Sequence, residues 1–79
     1  MKRTEIETQV NEIIVSVLGI KPELIKDEAD LTIDLGADSL DAVEIIIQCE
    51  HEFNVKVDDE LLYNIHTVKD IYDLACKLV

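Results

Sequence analysis

Asp34-Leu35-Gly36-Ala37-Asp38-Ser39-Leu40-Asp41 is an acidic, glycine-containing stretch that runs directly into a helix start, and the rest of the chain can be read outward from that junction. Asp38 fits the N-cap, because its carboxylate can accept from N–H groups left unpaired at a helix start. Ser39 then takes the first helical position and Asp41 the third. The apolar residues Leu40, Val43, Ile46, Ile47 and Phe53 predict a helix to about Phe53. They spread wider than one narrow seam, so part of the set faces outward. Asp41, Glu44 and Gln48 form another strip, and a face mixing acid with exposed aliphatic suits docking. A hydroxyl at the first helical position lies beside free N–H groups and the positive end of the helix dipole, where a phosphate is stabilised. Ser39 is therefore the candidate working residue, as an attachment point. Gly36 and Ala37 are expected to give the approach room.

Upstream, Thr4-Glu5-Ile6-Glu7 reads as a capping box. Ile6, Val10, Ile13, Ile14, Val17 and Leu18 then recur at spacings of three and four, a helix that Gly19 is placed to end. From Gly19 to Asp38 no helical period persists, and a connection of this length far exceeds the usual ~4–6 residues. Ile20, Leu24, Ile25, Leu31, Ile33 and Leu35 are expected to pin it across the helix ends, with a short turn at Pro22-Glu23-Leu24-Ile25. Downstream, Val55-Lys56-Val57 is too short for a strand and has no pairing candidate. Asp58 to Tyr63 predicts a short third helix. Thr67 with Asp70 caps a last one, whose buried stripe is Val68, Ile71, Leu74, Ala75, Leu78 and Val79. The expected fold is all-α: a four-helix bundle with three long helices, one short third helix and a long loop between helices one and two, forming a single domain over 1–79.

Composition agrees. Aromatics are 4% of the chain against 48% hydrophobic residues in total, so the core must be built from Ile, Leu and Val. Eighteen Asp and Glu against seven Lys and Arg leave a net charge of -11, the wrong sign for nucleic acid and for an anionic membrane surface. Between Lys26 and Lys56 there is no basic residue, while Asp27, Glu28, Asp30, Asp34, Asp38, Asp41, Glu44, Glu50 and Glu52 all fall there. This asymmetry suits steering of basic partners into brief encounters. Met1-Lys2-Arg3 leads into polar sequence, not an apolar targeting run, and no stretch approaches transmembrane length. Cys49 and Cys76 fall within helical patterns as small apolar residues, so a reduced, cytoplasmic protein is expected; a monomer is the expected state.

Enzyme chemistry does not assemble. Ser39 lacks both glycines of a nucleophile elbow. Pairing it with His51 on one helix fails, since twelve residues at ~1.5 Å each separate them by roughly 18 Å. Taking Gly36 as the sixth residue of an EF-hand loop puts Leu31 at its first position and Ala42 at its twelfth. Cys49 and His51, two apart on a helix, diverge too far to share a zinc ion.

The stretch DLGADSLDAVEIII resembles the phosphopantetheine attachment motif of the acyl carrier proteins. The similarity continues through Leu18-Gly19-Ile20, Glu52-Phe53 and Thr67-Val68. The resemblance implies a discrete, bacterial-type carrier with no catalytic residue of its own. A phosphopantetheinyl transferase would esterify Ser39 with 4'-phosphopantetheine from coenzyme A, and the arm's thiol would carry acyl groups as thioesters, first of all in fatty acid biosynthesis. It also implies a docking face of Asp38, Leu40, Val43, Glu44, Ile47 and Glu50. That face would meet acyl-transferring, condensing and other pathway enzymes through their basic docking patches. His51 stands where the family commonly has an acid, Cys49 and Leu62 where it commonly has Leu and Ala lining an acyl cavity, and Val57-Asp58 lacks the usual proline. Leu61-Leu62-Tyr63 replaces a more polar third helix. These departures keep open a carrier for a specialised polyketide, aminoacyl or other acyl pathway. A non-carrier acidic interaction module is the competing class.

Overall fold

A computed structural model describes residues 2–79. Three α-helices, α1 (Arg3–Leu18), α2 (Ser39–Phe53) and α3 (Val68–Leu78), are joined by segments holding short 3-10 helices at Pro22–Leu24 and Asp59–Asn64. The bundle is the expected one. Its short third helix is 3-10 and not α, and none of its residues is buried.

α1 starts earlier than the Thr4 capping box predicts. Lys2 is the N-cap, and because lysine offers no side-chain acceptor the box is reduced to its return half: Glu5 Oε1 accepts from the Lys2 N–H at 3.3 Å. Gly19 ends the helix in a left-handed conformation (φ 66°), which permits its N–H to donate to Val15 O at 2.8 Å. One face of α1 buries Ile6, Val10, Ile13 and Ile14 against α2 and α3.

The long connection is pinned, though by a different subset than its apolar residues suggest. Leu31 and Leu35 are buried with Ala29 and Ala37, whereas Leu24 and Ile33 are exposed. The anchor is largely backbone. Leu31 N–H donates to His66 O (2.9 Å), Val68 N–H to Ala29 O (3.1 Å) and Lys69 N–H to Asp27 O (2.9 Å), tying the loop to the start of α3. This tie satisfies N–H groups that the first turn of α3 would otherwise leave unpaired. Asp30 and Thr67 form an isolated antiparallel bridge at its centre. Val55 to Val57 is loop, as expected.

α3 begins with a complete capping box. Thr67 Oγ1 accepts from Asp70 N–H at 3.2 Å, and Asp70 Oδ2 accepts from Thr67 N–H at 2.9 Å. Its buried stripe is Val68, Ile71, Tyr72 and Ala75. Val79, expected in that stripe, is half exposed, while Tyr72 is buried and donates its hydroxyl proton to Asn11 Oδ1 on α1. That bond is why a polar-tipped residue can enter the core.

Candidate attachment site and docking face

Ser39 lies at N1 of α2, as its neighbours dictate. Asp38 adopts extended backbone angles (φ -94°, ψ -178°), and its Oδ1 accepts from Asp41 N–H at 2.8 Å while Asp41 Oδ2 accepts from Asp38 N–H at 3.2 Å. Ala42 N–H donates to Asp38 O at 3.1 Å. The N–H groups of Ser39 and Leu40 have no hydrogen-bond partner among the described residues, so the turn beside the serine keeps two donors free.

The approach is a folded turn. Asp30 Oδ1 accepts from Thr32 and Ile33 N–H, each at 2.9 Å, and Asp34 Oδ2 accepts from Asp30 N–H at 2.7 Å. Ala37 N–H donates to Leu31 O (2.8 Å) and Gly36 N–H to Thr32 O (3.2 Å), bringing residues 31–32 alongside 36–37. Gly36 is needed for its backbone: φ is 74°, and a Cβ added there would meet nothing within 4 Å. The expectation that Gly36 and Ala37 provide room is corrected on both counts, since Ala37 is a packed core residue.

Ser39 is exposed and opens onto a groove of about 660 Å³ lined by Thr32, Asp38, Ala42, Val43, Ile46, Asp59, Leu62, Tyr63 and Ile65. The groove runs between α2 and the 59–64 segment. The neighbouring void between α2 and α3, which includes Cys49, Val57 and Leu74, is about 10 Å³ and so essentially filled; Ile46 borders both spaces.

Along α2, Leu40 is 77% exposed, Val43 39% and Ile47 42%, while Ile45, Ile46 and Cys49 are buried. Asp38 and Glu44 are exposed with them. Glu50 differs, because its Oε2 accepts from Val57 N–H at 2.7 Å and one carboxylate oxygen is thereby committed to holding the following loop. Burial, reinforced by Glu52 and Glu50, pushes the Cys49 thiol up to about 12. It is a neutral core residue at physiological pH. The sequence pattern missed Ile45, one of three consecutive isoleucines, and the exposed apolar pair Ile33 and Tyr63 outside α2.

A family model described as "Phosphopantetheine attachment site" matches residues 8–75. An acyl carrier protein of Chlorobium phaeovibrioides is 44% identical over 77 residues, covering 98% of this chain and 99% of that protein. The chain belongs to the acyl carrier protein family. An acyl carrier protein of Syntrophobacter fumaroxidans is likewise 44% identical, over 90% of this chain and 88% of its own. The crystal structure of a Thermotoga maritima acyl carrier protein superposes with a TM-score of 0.83 at 30% identity, covering 98% of this chain and 89% of that one. The chain is thus a non-catalytic carrier, with 4'-phosphopantetheine as its covalent group. The residues at the helix start fit such a group: an exposed hydroxyl, two free N–H donors and an adjoining apolar groove. Asp38 and Asp41 offset part of the attraction of this helix start for a free phosphate. No helix of the described residues is long and apolar enough to cross a membrane.

Proposed function

We propose that Ser39 is the attachment residue. Its Oγ attacks the phosphorus of coenzyme A that bears the pantetheine, the bond to the adenosine bisphosphate breaks, and the serine proton passes to the phosphopantetheinyl transferase. The observation that carries this reading is the exposed Ser39 hydroxyl at N1 of α2, inside the residues matched to a phosphopantetheine attachment site. The arm's thiol then holds acyl intermediates as thioesters. The chain acts as one domain over 1–79, as a cytoplasmic monomer. Asp38, Leu40, Val43, Glu44, Ile47 and Glu50 present its docking face to acyl-transferring and condensing enzymes bearing basic patches. Small, charge-steered interfaces associate fast and release readily, which a shuttle between enzymes requires.

Incubation with coenzyme A and a broad-specificity transferase is expected to add one phosphopantetheine by intact mass. No addition, or an addition that survives Ser39→Ala, refutes the assignment. Fatty acid biosynthesis is the proposed pathway, tested by whether the loaded chain supports elongation in a reconstituted fatty acid synthase. A carrier for a specialised acyl pathway is the second reading. It draws on Leu62 and Tyr63, bulky residues in the groove wall beside Ser39.

A further inference from the structure

Three large apolar side chains are exposed far beyond the rest of the described chain: Ile33 at 82%, Tyr63 at 81% and Leu40 at 77%. They come from three separate segments, the approach turn, the 59–64 3-10 helix and α2. Each belongs to, or directly adjoins, a residue of the groove that holds Ser39. Leu40 follows Ser39 directly. Tyr63 and Ser39 line the same groove, as does Thr32, the residue before Ile33. Exposed apolar residues scattered singly are ordinary, whereas three at or next to the lining of one groove are the ingredients of a patch.

The patch is also held in place. Ile33 sits in a turn whose shape is set by Asp30, which accepts from its N–H at 2.9 Å, so its backbone needs little further ordering on binding. Asp34 follows Ile33 directly, Asp38, Asp41 and Glu44 lie within four residues of Leu40 along the chain, and no Lys or Arg occurs between residues 27 and 55. An apolar centre with an acidic rim is complementary to an apolar surface rimmed by basic side chains. Any enzyme that delivers a group to Ser39 Oγ must cover the side chains flanking it.

We propose that Ile33 and Tyr63 are partner contacts outside α2 that, with Leu40, form an apolar collar around Ser39, on which the enzyme that loads Ser39 seats. The proposal rests on Ser39 being the attachment residue. The docking surface then spans three segments, and its two flanks come from positions that helix periodicity does not single out. Substituting either flank removes binding area without disturbing the core, since both side chains lie almost wholly in solvent.

The test is steady-state transfer of phosphopantetheine from coenzyme A by a broad-specificity transferase, with the chain as the varied substrate. Ile33→Ser and Tyr63→Ser should each raise KM about fivefold or more with kcat within about twofold, the pattern of lost binding area. Val79→Ser, at a half-exposed apolar residue outside the groove, should leave both constants unchanged. Wild-type kcat/KM in either flank variant overturns the collar, as does an equal loss in Val79→Ser. A wild-type dimer in sedimentation equilibrium that Ile33→Ser or Tyr63→Ser dissolves would assign the patch to a second copy and also overturn it. Failure of the wild-type chain to accept any phosphopantetheine refutes the attachment residue instead, a distinct result.

Discussion

Asp38 and Asp41 hold one another across the first turn of α2, Oδ1 of the first accepting the N–H of the second at 2.8 Å and Oδ2 of the second accepting the N–H of the first at 3.2 Å. Ser39 is fixed between them, so the start of the helix and the placement of the serine hydroxyl depend on the same pair. Asp38→Ala should cost about 1 kcal/mol of stability, a fall in Tm of roughly 4–8 °C for a domain of this size. Asp38→Asn keeps the acceptor oxygen and should lose only a few tenths of that. Thermal melts of the two variants separate the cap from the charge. Slower loading in Asp38→Asn at unchanged Tm would assign the carboxylate a direct role with the transferase.

Much of this architecture is legible in the sequence where a local rule acts alone. The Asp38 and Thr67 caps, the end of α1 at Gly19 and the turn at Pro22 each need only a few adjacent residues, and all lie where the pattern puts them. Burial inside an all-apolar run is a different matter. Ile45, Ile46 and Ile47 are equivalent by type, and only packing against α1 and α3 decides that the first two go inward and the third stays 42% exposed. Ile33 is likewise equivalent by type to Leu31 and Leu35, yet those two are buried and Ile33 is exposed, while backbone bonds from the loop complete its anchorage to the start of α3.

That division predicts opposite outcomes for neighbouring isoleucines. Ile45→Val should destabilise by about 0.5–1.5 kcal/mol and Ile45→Ala by about 2–5 kcal/mol, because Ile45 is fully enclosed. Ile47→Ser should leave stability within about 0.5 kcal/mol while weakening partner binding. Urea unfolding of the three variants checks the ranking, and a large loss in Ile47→Ser would place that residue in the core.

Salt should stabilise the fold. None of the nine acids between residues 27 and 55 has an ion-pair partner among the described residues; the ion pairs there join Arg3 to Glu7 and Asp73, and Lys69 to Asp73. Those pairs are exposed and worth little. Self-repulsion therefore outweighs attraction, and shortening the Debye length from roughly 30 Å at 0.01 M to roughly 10 Å at 0.1 M relieves it. Tm should rise across that titration, and a flat or falling Tm counts against net repulsion.

Asp70 gives a pH dependence of defined sign. Burial pushes its carboxyl up, but the backbone N–H groups of Thr67 and His66 and the Thr67 hydroxyl outweigh this and hold it below the ordinary carboxylate range. A depressed folded-state value means stability that is present above the unfolded value of about 3.9 and lost as pH falls through the folded one. Melts of wild type and Asp70→Asn from pH 6 to pH 2.5 should run parallel above about pH 5 and converge below pH 4. Taking the difference between the two chains cancels the relief of repulsion that acid brings to both.

The two cysteines should react at very different rates. Cys49 is 5% exposed in the core and its thiol is pushed up to about 12 by burial and then by Glu52 and Glu50, so at pH 8 almost no thiolate exists and no reagent reaches it. Cys76, on α3, is partly exposed. Iodoacetamide at pH 8 should therefore add one group, mapped to Cys76, with a second appearing only in denaturant. Rapid labelling of Cys49 in the folded chain would show that the α2–α3 interface opens on the timescale of the reaction. The filled space behind Ile46 would then be accessible to a tethered acyl chain as well.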